Sequence, residues 1–169
     1  MNRRLVAVAL FAGLMLAIGQ ISLAQPEPDQ WYRIKNVRSK KVLSIGDDKE
    51  GQIIQRIAGP NEREQWKFVA AEKAPKHFYI INRKTGQALN VINESKEEGA
   101  AIIPWDASVK SQNQQWSLEK NGDHYVIKAR HSGLVLDVAD GTKKRKAPLI
   151  QYSPQNSGNQ FFLLEPVNK

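Results

Sequence analysis

One unit of about 47 residues occurs three times along this chain, and the repeat limits the fold more than any other feature of the sequence. Each copy opens with an aromatic-led alternating segment, at residues 32–36, 78–82 and 125–129. A leucine follows eleven positions after the leading aromatic residue, and the three leucines are 46 and 47 residues apart. Three copies at equal spacing favour a closed structure around a pseudo-threefold axis over an open solenoid, and three units are few for a propeller.

The pattern within each copy predicts four short strands. Apolar residues flank a polar one after each leucine, a third apolar stretch follows a polar loop, and an aromatic residue with an apolar residue two positions later closes the unit. No segment keeps a helical period. We therefore expect an all-β domain of twelve strands, with a shared core that contains Leu43, Ile54, Trp66, Leu89, Ile103, Trp116, Leu136, Ile150 and Phe162.

The first 24 residues have the pattern of a signal peptide. A basic start precedes an uncharged run over residues 5–19, and small residues end at Ala24, where we predict cleavage. The alternative is an uncleaved anchor, for which the run is short. Residues 25–30 read as a flexible leader, and residues 31–169 as one domain with repeats at about 31–74, 77–122 and 124–167. We expect a secreted or periplasmic protein with no membrane span after processing.

Composition excludes several classes of site. The chain has no cysteine, so a disulfide scaffold, a thiolate zinc site and a cysteine nucleophile are ruled out. An exported chain without cysteine fits a bacterial protein better than a eukaryotic extracellular one. No metal site, cofactor site or hydrolase motif is found in the sequence, and we expect a protein that is not an enzyme.

The closing motif connects the repeats to a known family. It is Gln-x-Trp at Gln114 to Trp116, and it recurs in relaxed form at residues 64–66 and 160–162. With Leu136, Asp137 and Val138 earlier in the unit, these residues resemble the ricin-type β-trefoil lectin domain over about residues 31–167. The resemblance implies a β-trefoil of three four-stranded repeats, with up to one shallow sugar pocket in each repeat.

The third repeat has the residues that the family pattern requires for a sugar pocket. By resemblance, Asp137 accepts hydrogen bonds from sugar hydroxyls, Tyr152 stacks on the sugar face, and Asn159 with Gln160 forms the opposite wall. Asp140 is expected to orient the amide of Gln160. The alternative is that Tyr152 only packs, Asp137 caps a turn and Gln160 serves the framework. The glutamine that the family usually has two positions before the ring is replaced by Ile150, and the neighbouring Gln151 falls on the other face of the strand.

The other two repeats depart from the pattern. The second has a neutral amide at Asn90 in place of the carboxylate, followed by Trp105, Asn113 and Gln114, and we expect a weaker site there. The first has Ser44, Arg56, and Arg63 with Glu64 at the corresponding positions, and none of them matches the family pattern. We interpret the first repeat as framework only.

Two function classes remain open. The first is a small secreted lectin whose partner is a carbohydrate, with Asp137 and Asp140 as binding groups and not a glycosidase pair. The second is a trefoil scaffold with vestigial pockets that binds another protein or a polyanion through basic loops. Lys143, Lys144, Arg145 and Lys146 form a run that we expect on the rim of the third pocket, where it would favour acidic glycans unless it is only a solvated loop. Nucleic acid is not an expected partner, because free aromatic residues are few.

Overall fold

The computed structural model describes residues 25–47 and 51–168, so the predicted signal peptide lies outside the described residues. The described strands confirm the predicted all-β fold with twelve strands. Their bounds are β1 Trp31–Asn36, β2 Val42–Ile45, β3 Ile53–Arg56, β4 Trp66–Ala70, β5 His77–Asn82, β6 Ala88–Val91, β7 Ile102–Trp105, β8 Trp116–Asn121, β9 His124–Ala129, β10 Val135–Val138, β11 Leu149–Tyr152 and β12 Phe162–Pro166. Short 3-10 turns span Glu62–Glu64, Ile92–Glu94, Gln112–Gln114 and Ala139–Gly141.

Six strands form a closed barrel and six form three hairpins. The barrel runs β1, β4, β5, β8, β9 and β12, and β12 pairs back with β1. The hairpins are β2 with β3, β6 with β7, and β10 with β11. Because each repeat contributes two barrel strands and one hairpin, the architecture is a β-trefoil with pseudo-threefold symmetry.

The shared core contains the predicted leucines and closing aromatic residues. The side chains of Leu43, Leu89, Leu136, Trp66, Trp116 and Phe162 are fully buried in one cluster. Each tryptophan also donates from Nε1 to the backbone oxygen of the leucine in its own repeat, Trp66 to Leu43 at 3.1 Å and Trp116 to Leu89 at 2.9 Å. The two buried indole NH groups are therefore hydrogen-bonded while the rings pack in the core.

Two predicted core residues, Ile103 and Ile150, are wrong, and the hairpin register explains why. Ile54 lies opposite Ser44, Ile103 opposite Asn90 and Ile150 opposite Asp137, so each isoleucine shares a face with the polar residue of its hairpin. The strand residue just before each of them enters the core instead: Ile53, Ile102 and Leu149. Ile54 is still buried but lies outside the core cluster, whereas Ile103 and Ile150 are only half-buried. A shift of one residue moves a strand side chain to the other face of the sheet.

The segment predicted as a flexible leader contacts the domain. Gln30 donates from Nε2 to the backbone oxygens of Trp31 at 2.7 Å and Val167 at 3.0 Å. The backbone NH of Glu27 donates to the Tyr32 hydroxyl at 2.9 Å. These bonds connect the start of the described chain to its end. Among the described residues, no helix is long and apolar enough to cross a membrane.

Candidate functional site

Asp137 is the centre of a polar group in the hairpin of the third repeat. It lies on β10 and is only 3% exposed. Its Oδ2 atom accepts hydrogen bonds from Asn159 Nδ2 at 2.9 Å and from Gln160 Nε2 at 2.8 Å. Both bonds from the described residues go to the same oxygen, which leaves the lone pairs of Oδ1 available to a ligand. The structure thus brings together three of the residues that the sequence predicted as a site.

Burial raises the pKa of the Asp137 carboxyl above its ordinary value of 3.8. The hydrogen bonds from Gln160 and Asn159 oppose this shift because they stabilise the charged form, and the charge of Asp140 adds to it. A carboxylate that is desolvated but held by two amides is a strong acceptor with little water to displace.

The two amides are themselves held in place. Gln160 donates also to the backbone oxygen of Ser153 at 2.8 Å, and its Oε1 accepts from the backbone NH of Gln155 at 2.7 Å. The Ser157 hydroxyl bonds to Asn159 Oδ1. Both protons of the Gln160 amide are therefore used.

The expectation that Asp140 orients Gln160 is wrong. Asp140 is exposed and adopts a left-handed backbone conformation, with φ of 58°. Gln160 is oriented by Asp137, Ser153 and Gln155 instead. The negative charge of Asp140 contributes to the raised pKa of Asp137.

Tyr152 carries the ring of the third site and is half-buried on β11. The nearby negative charge of Glu98 raises the pKa of this phenol. Glu98 belongs to the hairpin loop of the second repeat. The rim of the third site is therefore built from two repeats, a contribution that the spacing of motifs within one repeat does not reveal.

The second repeat has the same arrangement with a neutral anchor. Asn113 Nδ2 donates to Asn90 Oδ1 at 2.9 Å. The backbone oxygen of Val91 accepts from Asn113 Nδ2 at 2.8 Å and from Asn90 Nδ2 at 3.0 Å. Asn90, Asn113, Gln114, Ile103 and Trp105 line a shallow pocket of about 220 Å³. The Trp105 side chain is 60% exposed, so one face of a large ring is open to solvent.

Two differences separate the second site from the third. Gln114 donates to the backbone oxygen of Asp106 at 3.0 Å and does not bond to Asn90. Asn113 Oδ1 is buried and has no hydrogen-bond partner among the described residues, whereas the equivalent oxygen of Asn159 bonds to Ser157. A buried acceptor without a partner is costly, so this position of the second repeat is less well satisfied than the equivalent position of the third.

The first repeat has no such arrangement. Ser44 is fully buried and donates to the backbone oxygen of Ile45 at 3.0 Å. Arg56 occupies the position of the ring and contacts both carboxylate oxygens of Asp47 at 2.9 Å. Glu64 accepts from the backbone NH of Gly59 at 2.7 Å. These contacts agree with the interpretation of the first repeat as framework.

Two buried glutamines, Gln55 in the first hairpin and Gln151 in the third, each connect their own hairpin to the loop of another repeat. Gln151 donates from Nε2 to the backbone oxygens of Ser95 at 2.8 Å and Glu97 at 2.9 Å, and its Oε1 accepts from Ser132 at 2.9 Å. This confirms that Gln151 faces away from the sugar site. Sequence analysis missed its role, although a glutamine at the same repeat position, Gln55, is a signal that could have found it.

Gln55 holds the loop of the third repeat in the same way. It donates from Nε2 to the backbone oxygens of Thr142 at 3.0 Å and Lys144 at 2.7 Å. The backbone oxygen of Gln55 accepts from the backbone NH of Lys146 at 2.9 Å. The basic loop, residues 143–146, is thus anchored beside β3 of the first repeat. A place for the basic loop on the rim of the third pocket stays a prediction, and the loop whose charge reaches Tyr152 comes from the second repeat.

A larger cavity of about 510 Å³ lies away from the hairpin sites. Val69, Tyr79, Val109, Gln115 and Arg130 are among its lining residues, and it contains none of the predicted site residues. Within the part of the chain that the structure describes, no group of three or more His, Cys, Asp or Glu side chains could hold a metal ion.

Three solved structures show where this fold occurs. The designed threefold-symmetric protein ThreeFoil is 30% identical, with a TM-score of 0.76 over 81% of this chain and 99% of that one. An exo-beta-1,3-galactanase from Clostridium thermocellum is also 30% identical, with a TM-score of 0.77 over 85% of this chain but only 31% of that one. The ricin B-like lectin of Macrolepiota procera, solved in complex with lactose, is 16% identical with a TM-score of 0.69 over 84% and 99%.

A family model gives the assignment over the length of the domain. The model described as ricin-type beta-trefoil lectin domain-like matches residues 20–105, 62–152 and 112–169, which together include all three repeats. No curated protein matches the chain significantly. The barrel, the three hairpins and these matches agree, and the chain belongs to the ricin-type beta-trefoil lectin domain-like family.

Proposed function

We propose that the mature protein is an exported, non-catalytic lectin that binds sugars through the hairpins of the third and second repeats. The proposal depends on an arrangement that the second and third repeats share. In each hairpin a buried oxygen, from Asn90 or Asp137, accepts a hydrogen bond from an asparagine. An aromatic ring, Trp105 or Tyr152, follows two positions after the isoleucine that pairs with this acceptor residue. The family and its lactose-bound structural neighbour support carbohydrate as the ligand class.

Each part of the third site has a task that suits a pyranose. Oδ1 of Asp137 would accept from one or two adjacent hydroxyls, because Oδ2 is already occupied by amides. The ring of Tyr152 would cover the apolar C–H face of the sugar. Asn159 and Gln160 fix the direction of the carboxylate, so little side-chain entropy is lost on binding.

The second site would bind by different chemistry. Trp105 offers a larger and more exposed ring than Tyr152. Its anchor, Asn90, is neutral and already donates to Val91. We therefore expect the second site to depend more on stacking and the third site more on the carboxylate.

The carboxylates of the third repeat support binding better than catalysis. Asp137 is buried and held by two amides, and Asp140 is exposed. A glycosidase needs two carboxyl groups that flank one bond. The amide groups that bond to Asp137 fix it as an acceptor for hydroxyls.

A glycan array with residues 25–169 tests the proposal. We expect binding that free sugar competes away, that Asp137→Ala with Tyr152→Ala weakens, and that Asn90→Ala with Trp105→Ala weakens further. Ser44→Ala in the first repeat is the control and should change nothing. An array without any competed signal would refute the lectin function, and unchanged affinity in both double variants would refute the sites.

Export has a separate test. Expression of the full chain in a bacterial host, followed by fractionation and N-terminal sequencing, should give a periplasmic or secreted protein that begins at Gln25. A membrane-bound protein that keeps residues 1–24 would contradict this part of the proposal.

A further inference from the structure

We propose that the first and third repeats together form a basic surface that binds an acidic polysaccharide, independently of the sugar sites. The surface is defined by Arg38, Lys40, Lys41, Arg56 and the basic loop, residues 143–146. It therefore contains eight cationic side chains, contributed by a turn and a strand end of the first repeat and by a loop of the third.

Hydrogen bonds between the two repeats fix these segments against each other. Gln55, which precedes Arg56, holds the backbone of the basic loop at Thr142, Lys144 and Lys146. The same glutamine accepts from the Ser39 hydroxyl at 2.5 Å, so the turn that carries Arg38 and Lys40 is held by the same side chain. The cations thus project from anchored backbone, which lowers the cost of ordering them on a ligand.

Arg38 joins the turn to the start of the loop. A Cβ added at Gly141 would meet Arg38 Nη1 at 3.2 Å and Asn159 Cγ at 3.7 Å. The guanidinium therefore lies against the backbone that precedes the basic loop, beside the wall of the third site. Through Arg38 and Gln55, the turn, the basic loop and β3 form one connected group of segments.

The charge on this surface is large compared with that of the whole protein. The chain has 25 Lys and Arg against 17 Asp and Glu, and Arg3 and Arg4 precede the predicted cleavage site. Among the described residues, Asp47 pairs with Arg56, and Asp140 precedes Gly141 at the start of the basic loop. Arg38, Lys40 and all four residues of the basic loop are exposed.

The position of Arg56 favours a polysaccharide over other polyanions. Arg56 stands where the second and third repeats carry Trp105 and Tyr152, so the surface has a cation in place of a stacking ring. Single-stranded nucleic acid binding relies on aromatic platforms, and none belongs to this surface. A chain of acidic sugars needs only spaced cations.

The test measures binding of dextran sulfate to residues 25–169, with uncharged dextran as the matched ligand control. The variant Lys144→Glu, Arg145→Glu, Lys146→Gly gives the basic loop the sequence of the equivalent loop of the second repeat, residues 96–99, which the same fold already accommodates. Its control, Lys73→Glu, Lys110→Glu, Lys120→Ser, makes the same charge change at exposed positions elsewhere.

We expect the loop variant to lose at least tenfold in affinity for dextran sulfate at 50 mM NaCl, and the control variant to lose less than threefold. Wild-type affinity should fall steeply with salt, because the contacts are between exposed charges. Equal losses in both variants would overturn the proposal in favour of net charge alone. Tighter binding to double-stranded DNA or to phosphatidylglycerol vesicles than to dextran sulfate would overturn the choice of partner. Binding of a neutral sugar should be unchanged in both variants, so the two proposals fail separately.

Discussion

Asp137→Asn should separate the binding role of the carboxylate from its structural role. The second repeat shows what an asparagine does at this position: Asn90 Oδ1 accepts from Asn113, and Asn90 Nδ2 donates to Val91. An asparagine at position 137 can accept from Asn159 and donate to Val138 in the same way. The amide framework would be kept, but the lone pairs of Oδ1 would be replaced by a donor that is already bonded.

The magnitude follows from the hydroxyls that lose their acceptor. Hydrogen bonds to a charged group contribute about 1.5 to 3 kcal/mol, against about 0.5 to 1.5 kcal/mol for neutral ones. If two sugar hydroxyls share Oδ1, the variant loses about 2 kcal/mol or more. A free-energy change of about 1.4 kcal/mol is tenfold in affinity, so we expect sugar binding about 30-fold weaker.

Isothermal titration calorimetry in a Trp105→Ala background isolates the third site. The sugar is the one that the glycan array selects, and thermal unfolding of the same samples measures the fold. We expect the unfolding midpoint at pH 7 to stay the same or rise, because burial of an ionised Asp137 is unfavourable. Affinity within twofold of the parent would refute the assignment of Asp137 as the anchor. A large drop in the midpoint would show that the carboxylate is needed for the fold.

Three further predictions concern pH and stability. Sugar binding at the third site should weaken as pH falls through the raised pKa of Asp137. The free energy of unfolding should decrease as pH rises from the ordinary carboxyl pKa through that raised pKa, because the folded state holds the proton more tightly. Asp137→Asn should flatten both pH curves, the first measured by sugar titration and the second by urea unfolding. Gln151→Leu should cost about 2 to 4 kcal/mol in urea unfolding, because it removes the side-chain donor to the backbone oxygen of Glu97, one of two bonds to the backbone oxygen of Ser95, and the acceptor of the Ser132 hydroxyl. Gln87→Leu, which removes one exposed bond, should cost less than about 0.5 kcal/mol. Trp116→Ala should cost about 3 to 5 kcal/mol in the same assay, and a cost below about 1 kcal/mol would contradict its place in the core.

The fold could be predicted because its signals lie within one repeat and occur three times. The spacing of Leu43, Leu89 and Leu136 and the closing aromatic residues are set by the barrel and the hairpins, so one misread copy is corrected by the others. The register of the strands was harder to predict from the sequence. In a short run such as Leu149, Ile150 and Gln151, apolar residues stand on both faces, and the sequence pattern does not say whether Leu149 or Ile150 enters the core.

The candidate site was predictable only where its residues share a hairpin and a closing turn. Asp137, Tyr152, Asn159 and Gln160 follow each other at fixed spacing, and the structure brings Asp137, Asn159 and Gln160 into contact. Glu98 and Arg38 were missed because they come from the second and first repeats. Their approach depends on how one hairpin rests on the next, and spacing within a repeat carries no information about that.

The contacts between hairpins imply that each site is shaped by two repeats. Gln151 binds the loop that presents Glu98 to Tyr152, and Gln55 binds the loop that places the basic residues beside Arg56. The ring position of one repeat therefore lies near the loop of another. At the third site the phenol of Tyr152 lies near the carboxylate of Glu98. At the first repeat Arg56 is paired with Asp47, and the loop that Gln55 holds carries four cations. Like charges placed together are unfavourable in the absence of a counterion. This contrast within one fold is the physical reason to expect a neutral sugar at one hairpin and an anion at another.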